Sequence, residues 1–298
     1  MIIDMRCRVT IPEAGGYFVT TLTRQSLKKG KYEQIEAYKK GTIEAFFEEI
    51  GSYGITTAVS VSGNNPGFKI GNVVMPDRVT PNDLMAKLQK EHWGRFIGVA
   101  GIDAGNVFHK ATDEIERCYK MGLRIVFIEP GRSPGCNLDD RRLYPIYEKC
   151  VERGMALIPQ TSGMKGGRNI DYAHPKYIDQ VADDFPDLRI IAGHGCYPYV
   201  REAIIVACRR DNVYMSSDTY TFELGTEDWL KAVNLNLRGF QDKFLFGSSY
   251  PLSPLKPTME KFHKESWNPE ALPKILYKNA LRALKLEQDP KFKEMYNT

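Results

Sequence analysis

Short apolar runs alternate along this chain with longer stretches whose apolar positions recur at helical spacing. The runs at 1–3, 54–61, 95–101, 123–128, 155–158, 188–193, 212–217 and 243–246 predict eight strands. The stretches at 42–50, 81–92, 111–121, 140–153, 177–185, 199–210, 226–236 and 269–284 predict helices, several stopped by glycine, as at Gly122 and Gly154. Strands alternating with helices over nearly the whole length predict an α/β fold, a single (β/α)8 barrel spanning 1–298 with an irregular insertion at about 9–40. A doubly wound open sheet is the alternative, and it needs a reversal of strand order. The Gly- and Asn-containing stretch at 62–80 is expected to close over the mouth.

In either architecture, chemistry gathers at the carboxyl ends of the strands. The sixth run ends in Gly193, His194 and Gly195, which presents one imidazole between two permissive residues. Its plain alternative is a satisfied core histidine. Other runs end at Asp103, Glu129, Gln160, Asp218 and Ser249 with Tyr250.

Composition narrows the picture. At 298 residues and 42% hydrophobic, the chain can bury a large core, and no stretch is apolar enough for a membrane span. A net charge of +4 is too small and too dispersed to argue for nucleic acid. The six cysteines form no C-x-x-C pair and fit free thiols. The chain opens directly on a strand, so the expectation is of no signal peptide and a cytoplasmic location.

Four short motifs carry a resemblance: MIID at 1–4, IIAGHGCYP at 190–198, FLFGSSYP at 244–251 and ILYKNALRAL at 275–284. Together they resemble the amidohydrolase-2 branch of the amidohydrolase superfamily. That family implies a barrel and a metal-dependent decarboxylase, hydratase or lactonase activity. It usually carries H-x-H after the first strand, where this chain has Arg6-Cys7-Arg8. It has a histidine after the fifth, where Gln160 stands, and an aspartate after the eighth, where Ser249 stands. Of the usual ligand set only His194 is kept. Guanidiniums do not ligate metals and repel cations. The metal site is therefore expected to be absent, with no cofactor. A relocated site using Glu129, His194, Asp218 or Cys196 is the alternative.

Arg6 and Arg8, two apart on a strand, point to one side and suit a bidentate anion. Otherwise they pair with Asp4, Glu129 or Asp218. His194 is the candidate acid/base, with Asp218 orienting it or sharing the proton. Gln160, Ser249 and Tyr250 are candidate substrate contacts, and Ser249 lacks the G-x-S-x-G context of a nucleophile. Cys7 and Cys196 are read as buried thiols, and Arg168 and Lys165 as reaching a distal anion. The expected partner is a small carboxylate or other anionic molecule, with no nucleic acid and no membrane, and homo-oligomerisation is left open. Two functions follow. One is a metal-independent enzyme that hydrolyses, decarboxylates or hydrates a small carboxylated substrate. The other is an inactive relative that binds an anionic metabolite.

Overall fold

The computed structural model describes residues 1–15 and 35–297. Most of the insertion expected at 9–40 lies outside the described residues.

The expected strands form. They are β1 (Ile2–Cys7), β2 (Ile55–Ser60), β3 (Phe96–Gly98 and Ala100–Gly101, interrupted at Val99), β4 (Ile125–Ile128), β5 (Ala156–Pro159), β6 (Ile190–Gly193), β7 (Val213–Ser216) and β8 (Phe244–Leu245). Each pairs in parallel with the next. Met5 N donates to Phe246 O at 3.0 Å and Ser249 N to Arg6 O at 2.7 Å, which joins β8 to β1. The ring is closed, which excludes the doubly wound alternative.

The helices are α1 (Glu36–Lys40), α2 (Ile43–Ser52), α3 (Asn82–Glu91), α4 (Ala111–Lys120), α5 (Tyr144–Glu152), α6 (Lys176–Asp184), α7 (Val200–Arg209), α8 (Asp218–Leu224), α9 (Glu227–Asn234), α10 (Leu255–Lys264), α11 (Asn279–Leu284) and α12 (Pro290–Tyr296). α2 starts where Thr42 accepts the Ala45 N–H at 3.2 Å, an N-cap worth about 1 kcal/mol. α1, α8, α10 and α12 were not expected. The apolar repeat is short in the first two, and proline precedes or opens the others.

The core has two layers. Ile3, Met5, Val59, Ile97, Phe127 and Ile191 fill the barrel, and α11 and α12 pack against that filling through Leu284, Phe292 and Tyr296. Phe46, Ile50, Met85, Ile115, Val181 and Ile204 lie between the strands and the helices. The stretch at 62–80 is more than a loop. It folds into two antiparallel arms, Asn64–Asn65 with Arg78–Val79 and Phe68–Ile70 with Val73–Met75.

Candidate active site

The site begins with an irregularity. Simple alternation along β1 would put Ile3 and Met5 inside the barrel and Arg6 outside. The register between β1 and β2 shifts between Asp4 and Cys7. A bulge of this kind gives two successive residues the same face. Met5 joins the barrel filling, and Arg6 enters the mouth above it, its guanidinium 5.4 Å from the Phe127 ring centre. Asp4 anchors this turn. It accepts from Arg6 N (3.1 Å), Ser248 N (2.9 Å) and Ser248 Oγ (2.5 Å). Burial pushes its carboxyl up to about 6.

Arg6 is fully buried and internally engaged. Its Nη2 donates to Gln160 Oε1 at 2.8 Å and faces His194 Nε2 at 2.9 Å, while Nε lies 3.2 Å from Asp218 Oδ2. Nη1 makes no hydrogen bond among the described residues and lies where a Cβ on Gly193 would point. The glycine before His194 thus makes room for a neighbouring side chain. Of the two expectations for Arg6, the pairing with Asp218 is present, and two of its three nitrogens serve Asp218, Gln160 and His194.

Asp218 accepts from the His194 backbone N–H (2.9 Å), His194 Nδ1 (2.5 Å) and Ser249 Oγ (2.9 Å), and it forms an ion pair with Arg6. Burial works against its charge, but His194 and Arg6 outweigh it and hold the carboxyl down at about 2. Burial, reinforced by Arg6, takes His194 from 6.5 to about 4. The imidazole is therefore neutral near pH 7. Its Nδ1–H goes to Asp218 and its Nε2 lone pair faces Arg6. Three of these residues hold positive φ: His194 (73°), Asp218 (35°) and Ser249 (59°). Such backbone costs roughly 1–2 kcal/mol per residue and marks functional loops more often than scaffolding.

A second charged group lies beside the first. Glu129, at the end of β4, meets Arg78 Nη1 at 2.8 Å and Arg132 Nη1 at 2.8 Å, and accepts from Asn65 Nδ2. Burial opposes its charge, yet Arg132, Arg78, Arg8 and Arg6 together keep it ionised. Arg8 belongs to the same cluster. Burial depresses it well below the ordinary arginine range, and repulsion from Arg78 and Arg6 adds to that. Arg78 and Arg132 escaped the sequence reading because neither sits at a strand end. The signal was Gly63, where any Cβ would overlie the Arg78 side chain.

Other candidates are placed elsewhere. Tyr250, expected to contact substrate, is buried against Phe46 of α2 at 6.1 Å between ring centres, because its side chain turns away from the barrel axis. Ser249 bonds Asp218 rather than His194, which leaves it without a base. Cys7 and Cys196 are buried thiols pushed upward, Cys196 to about 12. Asp103 caps its own turn through Gly105, Val107 and Phe108 N–H groups.

The donor set does not fit a divalent metal. Its centre holds a guanidinium, and no group of three His, Cys, Asp or Glu suited to a metal occurs among the described residues.

These features define a (β/α)8 barrel with a charged centre at the carboxyl ends of its strands. The amidohydrolase family profile matches residues 56–286, and the chain belongs to that amidohydrolase-2 family. An uncharacterized TIM-barrel protein from Bordetella bronchiseptica is 32% identical, with a TM-score of 0.76 over 95% of this chain and 98% of that one. Two further structures share the fold. 4-Oxalomesaconate hydratase from Rhodopseudomonas palustris has a TM-score of 0.65 at 19% identity, over 100% of this chain and 99% of that one. 5-Carboxyvanillate decarboxylase from Sphingomonas paucimobilis has 0.61 at 15%, over 95% and 98%. A carbohydrate deacetylase from Listeria welshimeri is 26% identical over 130 residues, 41% of this chain, which spans 51% of that relative's length. No helix among the described residues is long and apolar enough to cross a membrane.

Proposed function

We propose that this chain is an amidohydrolase-2 enzyme that works without a catalytic metal on a small carboxylated substrate, by hydrolysis, decarboxylation or hydration. The observation that carries this reading is the Arg6 guanidinium, held by Gln160, His194 and Asp218 where the fold gathers its chemistry. A fixed cation in a dry site stabilises negative charge as it develops. The arginines around Glu129 supply the attraction for a carboxylate. By their names, relatives of this fold act on 5-carboxyvanillate, 2,6-dihydroxybenzoate and 4-oxalomesaconate, all carboxylated small molecules.

His194 and Asp218 are the proton-handling pair in this proposal. A carboxylate that draws Arg6 Nη2 toward itself uncovers His194 Nε2, while Asp218 retains Nδ1–H and fixes the tautomer. Substrate binding and exposure of the base are then one event. The covered Nε2 also favours a second reading, a protein that binds an anionic metabolite without turning it over.

A thermal-shift screen of small mono- and dicarboxylates, followed by turnover assays, tests both. His194→Asn should keep ligand stabilisation and lose about a hundredfold or more of the rate. Wild-type turnover by that variant refutes the catalytic reading. Ligand stabilisation without any turnover of the panel favours the binding protein.

A further inference from the structure

One neutral group in the mouth has an unspent proton. Tyr220 sits on α8, two residues after Asp218, and only 6% of it is exposed. Its ring centre is 5.2 Å from that of His194, and the ring stacks on Tyr197 at 4.9 Å and 19°. The ring is thus held by two neighbours, and its hydroxyl has little freedom to wander.

The hydroxyl's partner decides what it can do. Tyr220 Oη lies 2.6 Å from Ser162 Oγ in the loop after β5. A serine hydroxyl has one proton and two lone pairs. Ser162 Oγ also accepts from the backbone N–H groups of Met164 and Lys165, each at 3.2 Å. Those two contacts use both lone pairs. Ser162 is then satisfied by donating its own proton to Tyr220, with Tyr220 Oη as the acceptor. The phenolic proton is left with no acceptor among the described residues.

A buried donor without an acceptor costs free energy, and at a strand-end site such a group points to a ligand. We propose that Tyr220 is a substrate-contacting residue, donating its phenolic proton in a hydrogen bond to a carbonyl or carboxylate oxygen held beside His194. The inference rests on the carboxylated-substrate reading and adds to it. The arginines supply charge, and Tyr220 supplies a directional neutral contact that selects where the oxygen sits. Burial pushes its phenol up to about 12, so it keeps that proton throughout the physiological range. Ser162 is the positioning residue, since its donated proton fixes the direction of the Tyr220 O–H.

The test uses the full-length protein with benzoate and isophthalate as probes, comparing wild type with Tyr220→Phe, Arg8→Ala and Arg78→Ala. Tyr220→Phe keeps the ring against His194 and Tyr197, so its melting temperature should fall by no more than a few degrees. Probe affinity should drop by about tenfold to a hundredfold, the yield of one hydrogen bond to a charged carboxylate. Probe binding to wild type should also perturb tyrosine absorbance near the red edge of its band, and Tyr220→Phe should lose that signal. Equal affinity with no tyrosine signal in wild type overturns the assignment of Tyr220 while the arginine variants still bind weakly. If the arginine variants bind as wild type does, the carboxylate reading fails and the Tyr220 contact falls with it.

Discussion

Replacing Arg6 by methionine, which keeps much of the stem and deletes the charge, should change the protonation of a different residue. In the wild type, burial and Arg6 hold His194 at about 4, against 6.5 in the unfolded chain. Between those values the unfolded chain carries a proton that the native state does not. Stability therefore rises with pH across that window and is lost as acid is added. At about 1.36 kcal/mol per pH unit, the full window is worth about 3 kcal/mol. In the variant, the repulsion from Arg6 is gone and the attraction of Asp218 remains at 2.5 Å. His194 should then take a proton at higher pH and form an ion pair with Asp218. Losing one partner of a buried pair costs about 3–5 kcal/mol. That cost should be largest at pH 8 and should shrink toward pH 5 as His194 charges, by about 2 kcal/mol for the part of the window crossed. The assay is an NMR titration of the five imidazoles, with His194 assigned by its absence in His194→Asn, beside urea unfolding at both pH values. Wild-type His194 should stay neutral down to pH 5. The reasoning is refuted if His194 titrates at the same pH in both proteins, or if the stability gap between them does not depend on pH.

Further outcomes follow from the same geometry. Gly193→Ala places a methyl group on Arg6 Nη1; it should cost about 1–3 kcal/mol and raise the His194 titration as Arg6→Met does, and an unchanged titration would show that Arg6 does not need that space. On the proposed reading, elemental analysis should find well under one equivalent of zinc, manganese or iron, and chelators should leave activity intact; a stoichiometric metal on His194 would sink it. Arg78→Ala or Arg132→Ala should weaken binding of a dicarboxylate by about tenfold and lessen its salt dependence, which calorimetry at two ionic strengths reads directly.

Much of the barrel was legible because its rules are periodic. Short apolar runs such as 123–128 and 155–158 permit little but buried parallel strands, and glycine stops fixed the helix ends at Gly122 and Gly154. Strand-end logic also brought Arg6, Gln160, His194, Asp218 and Ser249 to one face. What escaped was aperiodic. A bulge in β1 cannot be read from six residues, yet it decides that Arg6 faces Asp218. Arg78 reaches Glu129 only because the stretch at 62–80 folds back on itself, a long-range outcome that local spacing does not encode. Tyr220 was hidden for another reason. Its importance lies in which hydroxyl donates, and that depends on two backbone N–H groups in a loop from elsewhere in the chain.

A guanidinium at the centre of the barrel changes what the protein requires of its surroundings. On the metal-free reading proposed above, a cation joined to the backbone arrives with translation, so no supply of trace element would limit how much protein is ready. It cannot be exchanged for a wrong ion or removed by a competitor. It also cannot bind water and acidify it, as a zinc ion does, so on that reading any hydroxide would have to be made by side chains. On that reading the position of Arg6 would exchange dependence on a nutrient for dependence on geometry, and the residue guarding that geometry is Gly193, which carries a hydrogen atom where a side chain would meet Arg6 Nη1.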